Sequence, residues 1–216
     1  MRIPFTSDEF LGVFAAYNQA VWPLPLIFAI AAILSVLIVL KNDTRSQWIV
    51  PGLLSVLWVW MGVVYHLTFF TSINPAAYVF GSVFILQGLL FLFAGLFRKS
   101  IRFRFEMKWT NVVALFVLAY GLILYPLIGY WSGRAYPHMP TFGVPCPTTI
   151  FTFGVLLLSV NRVPWYLIII PCLWSVIGFT AALKLSITED YGLLISCLVA
   201  IPLLILKPRP LPAESQ

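Results

Sequence analysis

The chain has 216 residues, of which 61% are hydrophobic and only 9% charged, and it carries a net charge of +6. Soluble domains are about a quarter charged, so this composition excludes an ordinary water-soluble domain and leaves little chain for one beside the apolar segments. The positive charge is a matter of where the basic residues fall.

The opening MRIPFTSDEF has one Arg followed by Asp8 and Glu9, and reads as no cleavable signal. TSDEFLGVFAAYNQ instead predicts an interfacial amphipathic helix within residues 1–19. Thr6 and Glu9 have the spacing of a capping box, acidic residues suit a helix N-terminus, and Phe10, Leu11 and Phe14 share one face.

Apolar runs then follow at about 20–40, 47–69, 75–97, 109–131, 147–161, 164–184 and 189–206. About 20 residues at about 1.5 Å each cross a bilayer core of about 30 Å. The expected fold is an all-α polytopic membrane bundle of seven transmembrane helices in a single domain, with 207–216 as a tail. The run at 147–161 is the shortest.

With seven spans, Lys41, Arg45, Arg98, Lys99, Arg102, Arg104, Lys108, Arg162, Lys207 and Arg209 fall on one side, against Arg2, Arg134 and Lys184 on the other. The positive-inside rule then puts the N-terminus outside and the C-terminus in the cytoplasm. The run RKSIRFRFEMK reads as a juxtamembrane loop, residues 98–108, that attracts anionic lipid. Nucleic acid is not needed to explain it.

Three helices share a shape: WIVPGLLSVLWVWMG from Trp48, WTNVVALFVLAYG from Trp109 and WYLIIIPCLWSVIG from Trp165. Each has a Trp at the basic edge and a Gly 12 to 14 residues on, at Gly62, Gly121 and Gly178. The helices after them also match, in NPAAYVFGSVFIL, CPTTIFTFGVLLL and TEDYGLLISCLV. One helix plus three similarly oriented hairpins accounts for the pattern, unlike the inverted repeats of many transporters.

The stretch SINPAAYVFG resembles the Asn-Pro-Ala loop of water channels. That pore needs two loops entering from opposite faces, whereas Asn74-Pro75 and its counterpart Cys146-Pro147 lie on the same side. Asn74 is better read as a helix cap and Pro75 as a first-turn proline.

Most side chains with chemistry gather at that same outer level. The candidate ligand-binding residues are Tyr17, Asn18, Gln19, Tyr65, His66, Asn74, Tyr125, Tyr130, Thr148, Thr149, Glu189 and Asp190. His66 stands out as an imidazole inside an expected span, where ionisable groups are rare and tend to face the bundle interior. Cys146, at a helix start, is a second reactive candidate. His66, Cys146 and His138 form a candidate metal set of imidazoles and thiolate, although no close-spaced ligand motif supports it and no motif requires a cofactor. Cys172 and Cys197 read as packing residues.

The segments AYNQAVWP, GVVYH, INPAAYVFG, YPLIGY, PTFGVPCPTTIFTFG and EDYGL together resemble a bacterial family of multi-pass membrane proteins of unknown function. The resemblance covers nearly the whole chain and implies a helical membrane fold, with no activity or site residues attached. The leading functional expectation is a small-solute or ion transporter of the inner membrane, with a polar site facing outward and the bilayer itself as partner. Alternatives are a membrane-embedded metal or enzymatic site using His66 and Cys146, and a ligand sensor or accessory subunit. The sequence is compatible with an oligomer.

Overall fold

A computed structural model describes residues 4–207. It is all-helical, with eight helices among the described residues: α1 (Ser7–Val21), α2 (Leu24–Leu40), α3 (Ser46–Ser72), α4 (Ala77–Phe97), α5 (Trp109–Trp131), α6 (Pro145–Leu157), α7 (Trp165–Leu185) and α8 (Thr188–Ile205). Arg2, Arg209 and the tail beyond Lys207 lie outside the described residues.

Five of these helices, α3, α4, α5, α7 and α8, are long and apolar enough to cross a membrane, or six if α1 and α2 count as one bent span. Of the seven spans expected from the sequence, five thus meet the length of a crossing on their own, or six with the bent pair. Two helices fall short, for different reasons. A 17-residue α2 meets α1 at 83°, because Pro23 and Pro25 withhold the N–H groups that would carry α1 straight on. The 13-residue α6 is about 20 Å long, and all of its residues are buried. It packs against α3, α5, α7 and α8. A helix wrapped in protein need not match the thickness of lipid, so its length is free.

The outer surface of the bundle is what a bilayer solvates. Leu26, Ile30, Leu34, Phe116, Leu173, Ile195 and Leu198 are exposed along the helices. Trp48, Trp109 and Trp165 stand exposed at one end, and Trp22, Tyr78, Tyr130, Trp131 and Tyr136 at the other. Two aromatic girdles with aliphatic surface between them are the surface pattern of helical bundles that cross a membrane. From Trp109 to Trp131 the 23 residues of α5 rise about 33 Å, close to the hydrocarbon thickness.

One end of the bundle is basic. The loop 98–108 is not simply a solvated basic run, because residues 101–104 alternate in burial and Phe103 bridges antiparallel to Ser159. Ile101 and Phe103 are in the core, while Arg102 and Arg104 are exposed. Three amides clip the backbone of this loop. Asn42 exchanges hydrogen bonds with Phe105, at 2.8 and 3.2 Å. Gln47 does the same with Phe103, at 2.8 and 2.9 Å, and Asn161 bridges Ser100 and Arg102. The loops carrying eight of the ten basic residues assigned to one side thus touch each other, and a ninth, Lys207, donates to Leu157 O at 2.6 Å and to Ser159 O.

At the opposite end, the Thr6–Glu9 capping box forms as the spacing predicts. The apolar face of α1 does not lie on lipid, however. Phe10 and Phe14 are buried, with ring contacts to Phe70 and Tyr65. Asn74 accepts from the Ala76 N–H at 3.1 Å, while the N-cap position of α4 itself is Ala76.

The three glycines aligned by the sequence each face the next helix in the chain. A methyl group on Gly62 would lie 2.7 Å from Gly81 O on α4, one on Gly121 would lie 3.1 Å from Pro147 O on α6, and one on Gly178 would lie 2.6 Å from Leu193 on α8. Each hairpin closes at its glycine because only a bare Cα admits the partner so closely.

Candidate functional site

A cavity of about 570 Å³ opens at the α1 end. Phe10 and Phe14 of α1 form one wall, with Tyr65 and Phe70 from the end of α3 and Asn74 and Phe80 from the start of α4. Pro145 and Cys146 of α6 contribute, as do Trp174, Ile177, Gly178 and Ala181 of α7 and Asp190 of α8. Spacings of i, i+3, i+4 and i+7 put those four α7 residues on one helical face. Lys184 stands on the exposed rim.

The cavity is predominantly apolar, so the polar vestibule expected from the sequence is corrected to an apolar pocket with one acid. That acid is Asp190, whose residue is 4% exposed. The Tyr125 hydroxyl donates to Asp190 Oδ1 at 2.5 Å, and the Cys146 thiol adjoins the same carboxylate. Trp174 Nε1 is buried with the Cys146 thiol beside it and no oxygen acceptor. An acid, a thiol and an indole N–H thus meet on one mostly apolar cavity.

Glu189, next in the chain, faces elsewhere. It is fully buried and takes a two-pronged hydrogen bond from Arg134, Nε to Oε1 at 2.9 Å with Nη2 on Oε2. Tyr120 donates to the Glu189 carbonyl at 2.8 Å. The pair ties the loop after α5 to the start of α8 and leaves Asp190 as the acid at the cavity.

The sequence candidates divide accordingly. Tyr65, Asn74, Cys146 and Asp190 line the cavity, and Tyr125 holds Asp190 from behind. Tyr17 and Asn18 belong to the scaffold. Trp60 Nε1 donates to the Tyr17 hydroxyl at 2.8 Å, while Asn18 binds Pro137 O, Met139 O and the Thr141 hydroxyl. Thr148 and Thr149 are buried on α6 without lining the cavity, and Thr148 Oγ1 accepts from Gly143 N. Gln19 and Tyr130 are exposed away from it.

His66 does not reach the cavity. Its ring is fully buried with neither nitrogen hydrogen-bonded, and it packs edge-on against Tyr65, Phe70, Phe80, Phe84 and Trp174. Four of those five rings form the cavity wall, so His66 backs the wall from behind. His138 is exposed in a separate depression with Asp8 and Arg134. The candidate metal set of His66, Cys146 and His138 is therefore not assembled, and no group of three or more metal-ligating side chains occurs among the described residues.

Sequence reasoning overlooked Trp174, Gly178 and the α1 phenylalanines as cavity wall, and Arg134 as the partner of Glu189. A signal existed for Arg134, a basic residue stranded at the end that carries Glu189 and Asp190.

With the geometry described, comparison with known families is decisive at one level. The family model DUF6064, a family of unknown function, matches residues 7–213. The chain belongs to that family. No curated protein and no solved structure is significantly similar to the chain. The DUF6064 match runs from the start of α1 through every helix described above, so the cavity and both ends of the bundle fall within the family's span.

Proposed function

We propose that this DUF6064 protein is a multi-pass protein of the bacterial inner membrane that binds and transports a small amphiphilic molecule. The apolar body of the ligand would occupy the cavity at the α1 end, and a cationic or hydrogen-bond-donating head would meet Asp190. The positive-inside rule supports an orientation with that cavity toward the outside and the 98–108 loop in the cytoplasm.

The observation that carries the reading is a carboxylate, of a residue only 4% exposed, on a mostly apolar cavity of about 570 Å³. Small-molecule sites have this size and this make-up, mostly apolar with a few convergent polar groups. A buried acid among membrane-spanning helices is costly unless used.

Tetraphenylphosphonium, a lipophilic cation, is a suitable probe. The purified protein should bind it, and Asp190→Asn should weaken binding by about tenfold or more, since it removes a coulombic attraction of about 2 kcal/mol between charges about 8 Å apart at an effective dielectric of about 20. Asparagine still accepts from Tyr125, which preserves the local fold. Ala181→Trp, which fills the cavity, should abolish binding. Uptake into proteoliposomes reads transport separately from binding. Binding left unchanged by both substitutions would sink the proposal.

A further inference from the structure

We propose a second site at the opposite end: the cleft between the 98–108 loop, the start of α5 and the end of α8 binds the phosphate headgroup of an anionic phospholipid. The cleft encloses about 370 Å³. Arg104, Lys108 and Lys207 line it together with one acid, Glu106, which pairs with Lys108 at 2.5 Å. Three cations against one carboxylate leave a surplus of positive charge.

These cations have different parts. Lys207 Nζ donates to Leu157 O, Ser159 O and Ser159 Oγ, so it is fixed in place and contributes charge more than contact. Arg104 pairs with no carboxylate among the described residues. Its planar guanidinium has the fork geometry that grips two phosphate oxygens. Its backbone is held by the clips on the loop, with Arg104 N bonded to Leu158 O at 3.2 Å, so the side chain starts from a fixed anchor.

The walls favour a lipid over a free anion. Leu203 and Leu206 of α8 and Trp109 of α5 also line the cleft. Trp109 and Leu206 are exposed on the flank of the bundle, where an acyl chain would leave the headgroup. Phosphate at the charged rim with hydrocarbon on the apolar wall is the arrangement of a bound lipid.

Native mass spectrometry of the full-length protein in neutral detergent, titrated with phosphatidylglycerol or phosphatidylcholine of matched chains, tests the site. Phosphatidylglycerol should bind more tightly. Arg104→Ala with Lys108→Ala should weaken it by about thirtyfold, from the effect of two basic residues near a lipid surface. Arg98→Ala with Lys99→Ala, in the same loop but outside the cleft, should leave it within about threefold. Arg104→Lys alone, which keeps the charge and loses the fork, should weaken binding by less than the alanine pair but measurably, which keeps the test readable if the alanine variant unfolds. Equal losses in the two alanine variants would overturn the site in favour of a diffuse basic surface. Displacement by millimolar inorganic phosphate, with no dependence on acyl-chain length, would overturn the lipid in favour of a free anion.

Discussion

Arg134→Met isolates the most consequential polar contact in the bundle. It removes both donors to the Glu189 carboxylate, which lies in a residue with no solvent exposure, and no other hydrogen bond to those carboxylate oxygens exists among the described residues. Breaking a buried pair and stranding its partner costs about 3–5 kcal/mol, whereas an exposed pair is worth about 1 kcal/mol or less. The Arg134 side chain is 13% exposed and that of Glu189 0%, so the buried figure applies. At about 2–4 °C per kcal/mol for a chain of this size, the unfolding midpoint in detergent should fall by about 10 °C. The double variant Arg134→Met with Glu189→Met replaces both charges by apolar groups and should recover most of that loss. A midpoint drop of only a degree or two, or a double variant no better than the single, would refute the burial argument.

Gly95 sits where a methyl group would fall 2.1 Å from Pro51 Cβ, while Gly52 has nothing within 4 Å. Gly95→Ala should therefore destabilise the α3–α4 pair by about 1–3 kcal/mol in a denaturation series, and Gly52→Ala should be neutral or mildly stabilising. Burial lowers the Lys207 pKa from 10.5 to about 8, with the Lys108 charge adding to the effect. The folded state thus gives up this proton earlier than the unfolded chain, so folding stability from this group rises between pH 8 and 10.5 and is lowest below 8. Amine acylation followed by mass spectrometry should find Lys207 half-neutral near pH 8; a midpoint at the ordinary lysine value would contradict its burial.

Much of the architecture is legible in the sequence. Long apolar runs imply helices whatever their neighbours, which is why 109–131 and 164–184 coincide within a residue with α5 and α7. The Thr6–Glu9 box is readable because capping is a contact over three residues. The alternation Ile101-Arg102-Phe103-Arg104 is equally open to reading as an extended segment with one buried face, yet the density of charge draws attention to the basic residues alone.

Other features have no local signature. The run at 147–161 is as apolar as a span, but only the surrounding helices decide that α6 meets protein on every side and can stop at Leu157. Asp190 and Glu189 are adjacent and chemically alike. Their fates divide because Arg134, 55 residues from Glu189, and Tyr125, 65 from Asp190, approach from different sides. His66, the conspicuous imidazole, lies behind the aromatic wall rather than at the cavity, since the single-residue step from Tyr65 turns the side chain by about 100° around the helix. Hydrophobicity and short-range bonding are properties of neighbours in sequence, so the sequence determined the helices, the charge asymmetry and the cap. Burial, pairing and cavity shape are properties of neighbours in space, and those were decided by how the helices pack.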